Sequence, residues 1–288
     1  MKQHDVRPRP RARRPRILPS VAIAAAMALP WAAAGAQTDY FNTDAGRPLT
    51  VQDASVIERH VIELQAAPVR LERASGGRYS WGVEPELAWG VLSFTQLEVG
   101  LPLVVQDGVG GADRRAGVAG VHLSLLHSLN TESRTLPAFA LGAATLLPAG
   151  PLAPSSAYGT FTGVMTRSFG FGRVHLNGSA TVGPTPRAAD DEGAAELSRW
   201  EAGLAVDRAL PFRSTLIAAE LVARHPLDDA ADLAWQVGAG VRRQLDPRWV
   251  LDAGLSRTVT GDHRPWSLTV GAAYAFAVPA LMGITGGR

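Results

Sequence analysis

From Ser55 to Phe276 the chain repeats one rhythm, in which apolar side chains alternate with small or polar ones over stretches of roughly ten residues, each closed by a turn signal. Twelve such stretches predict twelve strands: 55–69, 78–91, 95–105, 117–129, 135–147, 158–169, 173–182, 198–210, 214–224, 233–244, 249–259 and 266–276. The alternation is cleanest in five of them. Trp81, Val83, Pro85, Leu87, Trp89 and Val91 alternate with Gly82, Glu84, Glu86, Ala88 and Gly90. Leu97, Val99, Leu101 and Leu103 alternate with Gln96, Glu98 and Gly100; Val174, Leu176, Gly178 and Ala180 with Arg173, His175, Asn177 and Ser179. Trp200, Ala202, Leu204 and Val206 alternate with Arg199, Glu201, Gly203 and Asp207, and Trp235, Val237, Ala239 and Val241 with Gln236, Gly238, Gly240 and Arg242. Successive strand side chains point to opposite faces, so each strand has an apolar face and a polar, often charged one.

A soluble sandwich and a membrane barrel both produce such strands. Three features select the barrel. Trp81, Trp200, Trp235 and Trp266 stand at one end of their strands and Trp89 and Trp249 at the other, where a half-wet indole suits a membrane interface. Glycine and alanine recur inside strands, as in Gly238-Ala239-Gly240 and Gly271-Ala272-Ala273, where a soluble strand gains little from them. The last strand reads Thr269-Val270-Gly271-Ala272-Ala273-Tyr274-Ala275-Phe276, similar to the terminal signal recognised by the barrel-assembly machinery. Connections alternate too. Leu92–Phe94, Asn130–Arg134, Gly170–Gly172, Pro211–Arg213 and Leu245–Arg248 are tight, whereas the others are longer, 106–116 and 183–197 most of all. Short periplasmic turns and longer outer loops are the layout of an outer-membrane barrel, and an even strand count leaves both ends in the periplasm. The expected fold is therefore an all-β, antiparallel up-and-down transmembrane barrel.

The N-terminus decides the compartment. Lys2 and six arginines precede an alanine-rich apolar run from Ile17 that ends in Ala34-Gly35-Ala36, the pattern of a cleaved secretory signal peptide. The expected organisation is signal peptide 1–36, short periplasmic lead-in 37–54, barrel 55–276 and C-terminal tail 277–288. The leader holds seven of the 28 Lys+Arg and one of the 26 Asp+Glu, which leaves 21 and 25 and a mature net charge of −4. No basic stripe with interleaved aromatics remains, so nucleic acid is not an expected partner. The chain has no cysteine, which excludes thiolate metal sites and cysteine nucleophiles. After the leader no apolar run reaches the ~20 residues of a transmembrane helix.

Candidate chemistry is sparse. His122 with Ser124, and His175 with Ser179, offer parts of a hydrolase, but no Gly-x-Ser-x-Gly elbow is present. His60, His127, His225 and His263 are isolated, without zinc-ligand spacing, and neither metal nor cofactor is expected. Asp190-Asp191-Glu192 and Asp228-Asp229 are acidic loop clusters of the kind that meet calcium or lipopolysaccharide, and more often are merely solvated. Gly108-Val109-Gly110-Gly111 opens no helix and reads as a flexible loop rather than a phosphate cradle.

The inward-facing set carries more weight. Glu84, Glu86, Glu98, Glu201, Asp207, Glu220 and Asp252 are expected to share the lumen with Arg173, His175, Arg199, Arg224 and Arg242. They are either a solute-selecting lining or an ion-pair network that fills a narrow barrel. Seven acids against four arginines cannot all pair from within the strands, which favours the channel. Trp81, Trp89, Trp200, Trp235, Trp249, Trp266, Tyr274 and Phe276 are the expected interface aromatics.

The stretch Glu84-Pro85-Glu86-Leu87-Ala88-Trp89-Gly90, a tight turn, then Gln96-Leu97-Glu98-Val99-Gly100-Leu101-Pro102-Leu103 resembles a hairpin of the family described as MetA-pathway of phenol degradation proteins. Asn42-Thr43-Asp44, Pro48-Leu49-Thr50-Val51 and a strand with Glu58 and Glu63 fit the same family's N-terminus, while Leu92-Ser93-Phe94 departs from its usual Gly-Leu-Thr-Asp type of turn. The resemblance implies an outer-membrane barrel that carries small, aromatic compounds, with no catalytic residues. The expected function is a passive channel or transporter, not an enzyme. Its expected partners are outer-membrane lipid, lipopolysaccharide, the assembly machinery and small solutes. A plugged structural barrel is the alternative, and an outer-membrane hydrolase a weaker one.

Overall fold

The computed structural model describes residues 41–66, 69–73, 79–106, 114–185, 197–227, 232–260 and 264–277. Twelve antiparallel strands run through them: β1 (Val61–Gln65, continued as Val69–Arg73), β2 (Tyr79–Val83 and Glu86–Leu92), β3 (Thr95–Gly100 and Leu103–Gln106) and β4 (Arg115–Val118 and Val121–Asn130). There follow β5 (Ala138–Leu147), β6 (Tyr158–Phe169), β7 (Gly172–Val182), β8 (Ser198–Leu210), β9 (Thr215–Pro226), β10 (Ala234–Asp246), β11 (Trp249–Thr258) and β12 (Trp266–Ala277). Each strand pairs with its sequence neighbour, and β1 closes the sheet on β12, with Val61 opposite Ala277 and Arg73 opposite Trp266. Closure gives every ladder a partner on both sides, the condition for a sheet to lie in lipid. Among the described residues no helix is long and apolar enough to cross a membrane; the protein is a transmembrane β-barrel.

The two faces separate as the alternation predicts. Leu97, Val99, Leu141, Phe161, Leu176, Leu204, Val237, Leu255 and Val270 all point outward and are 36–62% exposed. An apolar surface that girdles every strand belongs against acyl chains, because no soluble protein leaves so much of it in water. Trp81, Trp200, Trp235, Trp249 and Trp266 lie on the same outer face, 38–46% exposed. Tyr274 packs between Trp249 and Phe276 at ring separations of 4.8 and 6.1 Å. Three phenylalanines add to this belt without having stood out in the sequence: Phe94, Phe171 and Phe212, exposed at the tips of three tight turns.

Among the described residues β2, β3 and β4 are interrupted along one line. β2 breaks at Glu84-Pro85, β3 at Leu101-Pro102 and β4 at Ala119-Gly120. A proline has no N–H to give the ladder, yet its carbonyl still serves: Pro85 accepts from Leu101 (3.1 Å) and Pro102 from Ala119 (2.8 Å). β4 uses five positions, Val118 to His122, where β3 uses four, Gly100 to Leu103, so the wall carries a bulge here.

The first strand corrects the sequence expectation. Residues 55–60 are not strand: Val56 packs against buried Ala54, Leu126, Ala140 and Val164, and Ile57 against Val61, Ala275 and Ala277. Apolar Val56 and Ile57 imitate a strand in sequence because inward burial and lipid exposure favour the same side chains. The chain turns at Glu58–Val61, where the Val61 N–H donates to the Glu58 carbonyl (3.1 Å) and His60 takes a positive φ of 69°.

The lipid face is tested by Val270→Arg. Val270 is 49% exposed in the middle of β12, and a charge there is expected to cost roughly 2–4 kcal/mol of folding stability in lipid vesicles. A change below about 1 kcal/mol in urea titration would place Val270 away from the membrane.

Candidate functional site

The lumen is occupied by the chain's own lead-in. Residues 41–60 climb inside the wall and return, so the segment expected to wait short of the barrel lies within it. The ascending limb is held at its base, where Arg173 donates to the carbonyl of Phe41 and Arg242 to that of Asn42. Pro48 reaches mid-height, against Gly240 of β10 and Gly254 of β11. The descending limb comes back past Thr166 of β6 and Gln96 of β3, and the His60 N–H ends on the Gly90 carbonyl (2.9 Å). Asp53 ties the limbs together, its N–H to the Thr43 carbonyl (3.1 Å) and its carboxylate to the Thr43 N–H (3.2 Å).

A segment without sheet partners still has backbone groups to satisfy, and luminal side chains meet them. Glu220 accepts from the N–H groups of Thr50 (2.8 Å) and Val51 (3.0 Å). Asn177 accepts from Gln52 N–H and donates to its carbonyl, both at 2.8 Å. Thr166 accepts from Ala54 (3.0 Å) and Gln96 from Ile57 (2.7 Å). Inward glycines make the room. A Cβ at Gly203 would strike Val51, at Gly254 the Pro48 carbonyl and at Gly90 the Glu58 carbonyl; at Gly240 it would lie 2.8 Å from Pro48. The glycines from which a soluble strand gains little are, on the luminal face, the space the plug fills.

Charge pairing completes the fit. Arg47, 1% exposed, bonds Asp44 (2.6 Å), Asp252 (3.1 Å) and Glu63 (3.3 Å). Arg242 joins the same group, 2.7 Å from Asp44 and 3.6 Å from Asp252. Burial pushes the Asp44 carboxyl up, but Arg242 and Arg47 outweigh it and hold the group below the usual carboxylate range. Burial likewise disfavours the Arg47 cation, and Asp44, Asp252 and Glu63 more than compensate. A second group surrounds Asp207, which Arg173 grips with two nitrogens (3.0 and 2.5 Å) while also reaching Asp53 (3.2 Å). His175 spans Thr166 (2.9 Å) and Asp207 (3.0 Å). The Asp207 carboxylate only accepts, so His175 Nε2–H donates to it.

The twelve luminal candidates thus fall into levels. Arg173, His175, Asp207, Arg242 and Asp252 hold the plug, with Glu220 above them. Near the other rim Arg224 lies 3.4 Å from Glu201 and Arg199 donates to the Leu227 carbonyl (3.0 Å). Glu84, Glu86 and Glu98 share the β2–β3 wall with His122 of β4. The two hydrolase pairs do not form: Ser124 donates to Glu98 (2.6 Å) rather than to His122, and His175 is taken by Thr166 and Asp207. Residues 186–196, with Asp190-Asp191-Glu192, lie outside the described residues, as do Asp228-Asp229, Gly108–Gly111, His263 and the tail from 278. The residues the sequence reading missed are those of the plug: Asp44, Arg47 and Asp53. They pair with wall residues far along the chain, Arg47 with Asp252, Asp44 with Arg242 and Asp53 with Arg173.

A small cleft between the two limbs of the plug is lined by Asn42, Asp44, Ser55–Glu58, Val61, Glu63, Gln96 and Arg242.

No protein-family model and no curated protein matches the sequence, so the resemblance of the Glu84–Leu103 hairpin to the MetA-pathway family rests on those residues alone. Solved structures do match the fold. The COG4313 outer membrane channel from Pseudomonas putida F1 is 13% identical, with a TM-score of 0.54 over 78% of this chain and 98% of that one. The KdgM porin is 11% identical (TM-score 0.46, 75% and 99% covered), and the CymD monoaromatic hydrocarbon channel 8% (TM-score 0.45, 76% and 89% covered). At such identities the likeness is one of fold: a closed barrel of the kind found in outer-membrane channels.

Proposed function

We propose that this chain is a non-catalytic channel of the Gram-negative outer membrane, exported by a cleaved signal peptide and seated by the barrel-assembly machinery among lipid and lipopolysaccharide. Small solutes cross it passively, and residues 41–60 narrow its periplasmic half. The observation that carries this reading is a polar, charge-lined lumen whose filling is the chain's own lead-in, held largely by side-chain hydrogen bonds and ion pairs. Glu201 and Arg224 then line the passage towards the other rim, Glu84, Glu86 and Glu98 line the β2–β3 wall beside the plug, and together they select by charge. The hairpin resemblance argues for small aromatic compounds among the solutes.

A plugged structural barrel is the second reading. It is favoured by the depth at which Leu49, Val51, Arg47 and Asp53 are buried, at 1–4% exposure. Planar-bilayer recording separates the two. The parent protein is expected to give small, cation-preferring steps, and deletion of 41–56 to raise conductance several-fold. Silence from both proteins would reject the channel.

The plug's attachment is tested through Arg47. Arg47→Ala removes the nearer arginine from Asp252 and leaves Arg242, 3.6 Å away, as its remaining partner; removing one partner of a buried pair costs up to roughly 3–5 kcal/mol. The expected outcome is protease cleavage within 41–60 of the folded barrel and frequent transitions to a larger conductance; an unaltered digestion pattern would show that the pair does not secure the plug. Acid acts in the same direction. Asp44 has a folded pKa below its ordinary 3.8, so its contribution is complete above that pH and is lost as pH falls through the lower, folded value. Plug release should therefore begin below about pH 4 in the parent. In Asp44→Asn this component should vanish, and a release curve of unchanged shape in that variant would show that Asp44 does not supply it.

A further inference from the structure

We propose that Glu84, Glu86 and His122 form a binding site for a divalent transition-metal ion on the luminal wall. Three strands build it in one row, with Glu86 of β2 opposite Gly100 of β3, and Gly100 opposite His122 of β4. The glycine is what lets the flanking side chains meet. A Cβ at Gly100 would lie 2.8 Å from Glu84 Oε1 and 3.1 Å from Glu86 Oε1, so both carboxylates lean over the bare position. The break in β2 supplies the third ligand. The two glutamates flank the Pro85 interruption, and all three donor atoms lie within 4.8 Å of one another.

The distances suit a metal. His122 Nδ1 is 3.5 Å from Glu84 Oε1 and 3.9 Å from Glu86 Oε1. Ligands at ~2.1 Å from a tetrahedral zinc stand about 3.4 Å apart, so small rotations of two flexible glutamates close the set. One imidazole nitrogen with two carboxylate oxygens suits Zn²⁺ or a neighbouring transition ion better than Ca²⁺ or Mg²⁺, which prefer oxygen alone. Glu98 stands one row away, its carboxylate fixed by Ser124 (2.6 Å) and Gln96 (2.5 Å), and adds negative potential without competing as a ligand. Three protein donors leave a coordination position for water or for a passing solute.

The test is calorimetric titration of ZnCl₂ into the tag-free full-length barrel in detergent. One zinc per chain is expected. Glu86→Gln and His122→Ala should each weaken binding at least tenfold. Gly100→Val should do the same although it alters no donor, because its side chain fills the space over which the carboxylates meet. Glu201→Gln, in the separate pair with Arg224, should leave binding unchanged. Heat-modifiable gel mobility shows which variants are folded, and the isosteric Glu86→Gln decides the question if His122→Ala fails to assemble. No zinc uptake by the parent, or uptake unchanged in folded Glu86→Gln, would overturn the proposal.

Discussion

A backbone in lipid has no water to bond, so every N–H and C=O in the span must find a partner within the protein. Closure of β1 on β12 meets that demand and has a consequence. A sheet closed on itself has an inside, and twelve strands enclose more space than their own short luminal side chains fill. The inward faces of β8, β10, β11 and β12 carry Gly203, Ala205, Gly238, Gly240, Gly254 and Gly271. Space left by so many small residues is taken either by water or by chain, and residues 41–60 take much of it.

The plug obeys the same accounting as the wall by different means. Its backbone cannot join a ladder that is already closed, so side chains that project inward from the strands act as its partners: Glu220, Asn177, Thr166 and Gln96. A surface that presents acceptors along its height serves a fixed segment and a moving solute equally well. Lining and plug-holding are thus two uses of one chemistry, and the charges sort by level. Deep in the plug they close into compact groups around Arg47 and Arg173; towards the other rim Glu201 and Arg224 are about a quarter exposed.

The interruptions at Pro85, Pro102 and Gly120 show how a regular wall acquires local chemistry. A break in the ladder, with a bare glycine in the adjacent strand, brings Glu84 and Glu86 over the same point and sets them opposite His122.

By itself the sequence determined the parts that depend on local period. Side-chain alternation is a property of the strand, so eleven strands, their inward and outward faces and the tight turns were legible from the residues. The first strand was misplaced because Val56 and Ile57 are apolar for a reason period cannot express: they face the barrel's interior from a segment that is not part of it. Only the tertiary structure decided where 41–60 goes and what pairs with what. Arg47 lies 205 positions from Asp252 and Gln52 lies 125 from Asn177, and contacts between residues so far apart in the chain exist only once the sheet has closed around them. The meeting of Glu84, Glu86 and His122 belongs to the same class, since it follows from strand register and a proline break rather than from any spacing along the chain.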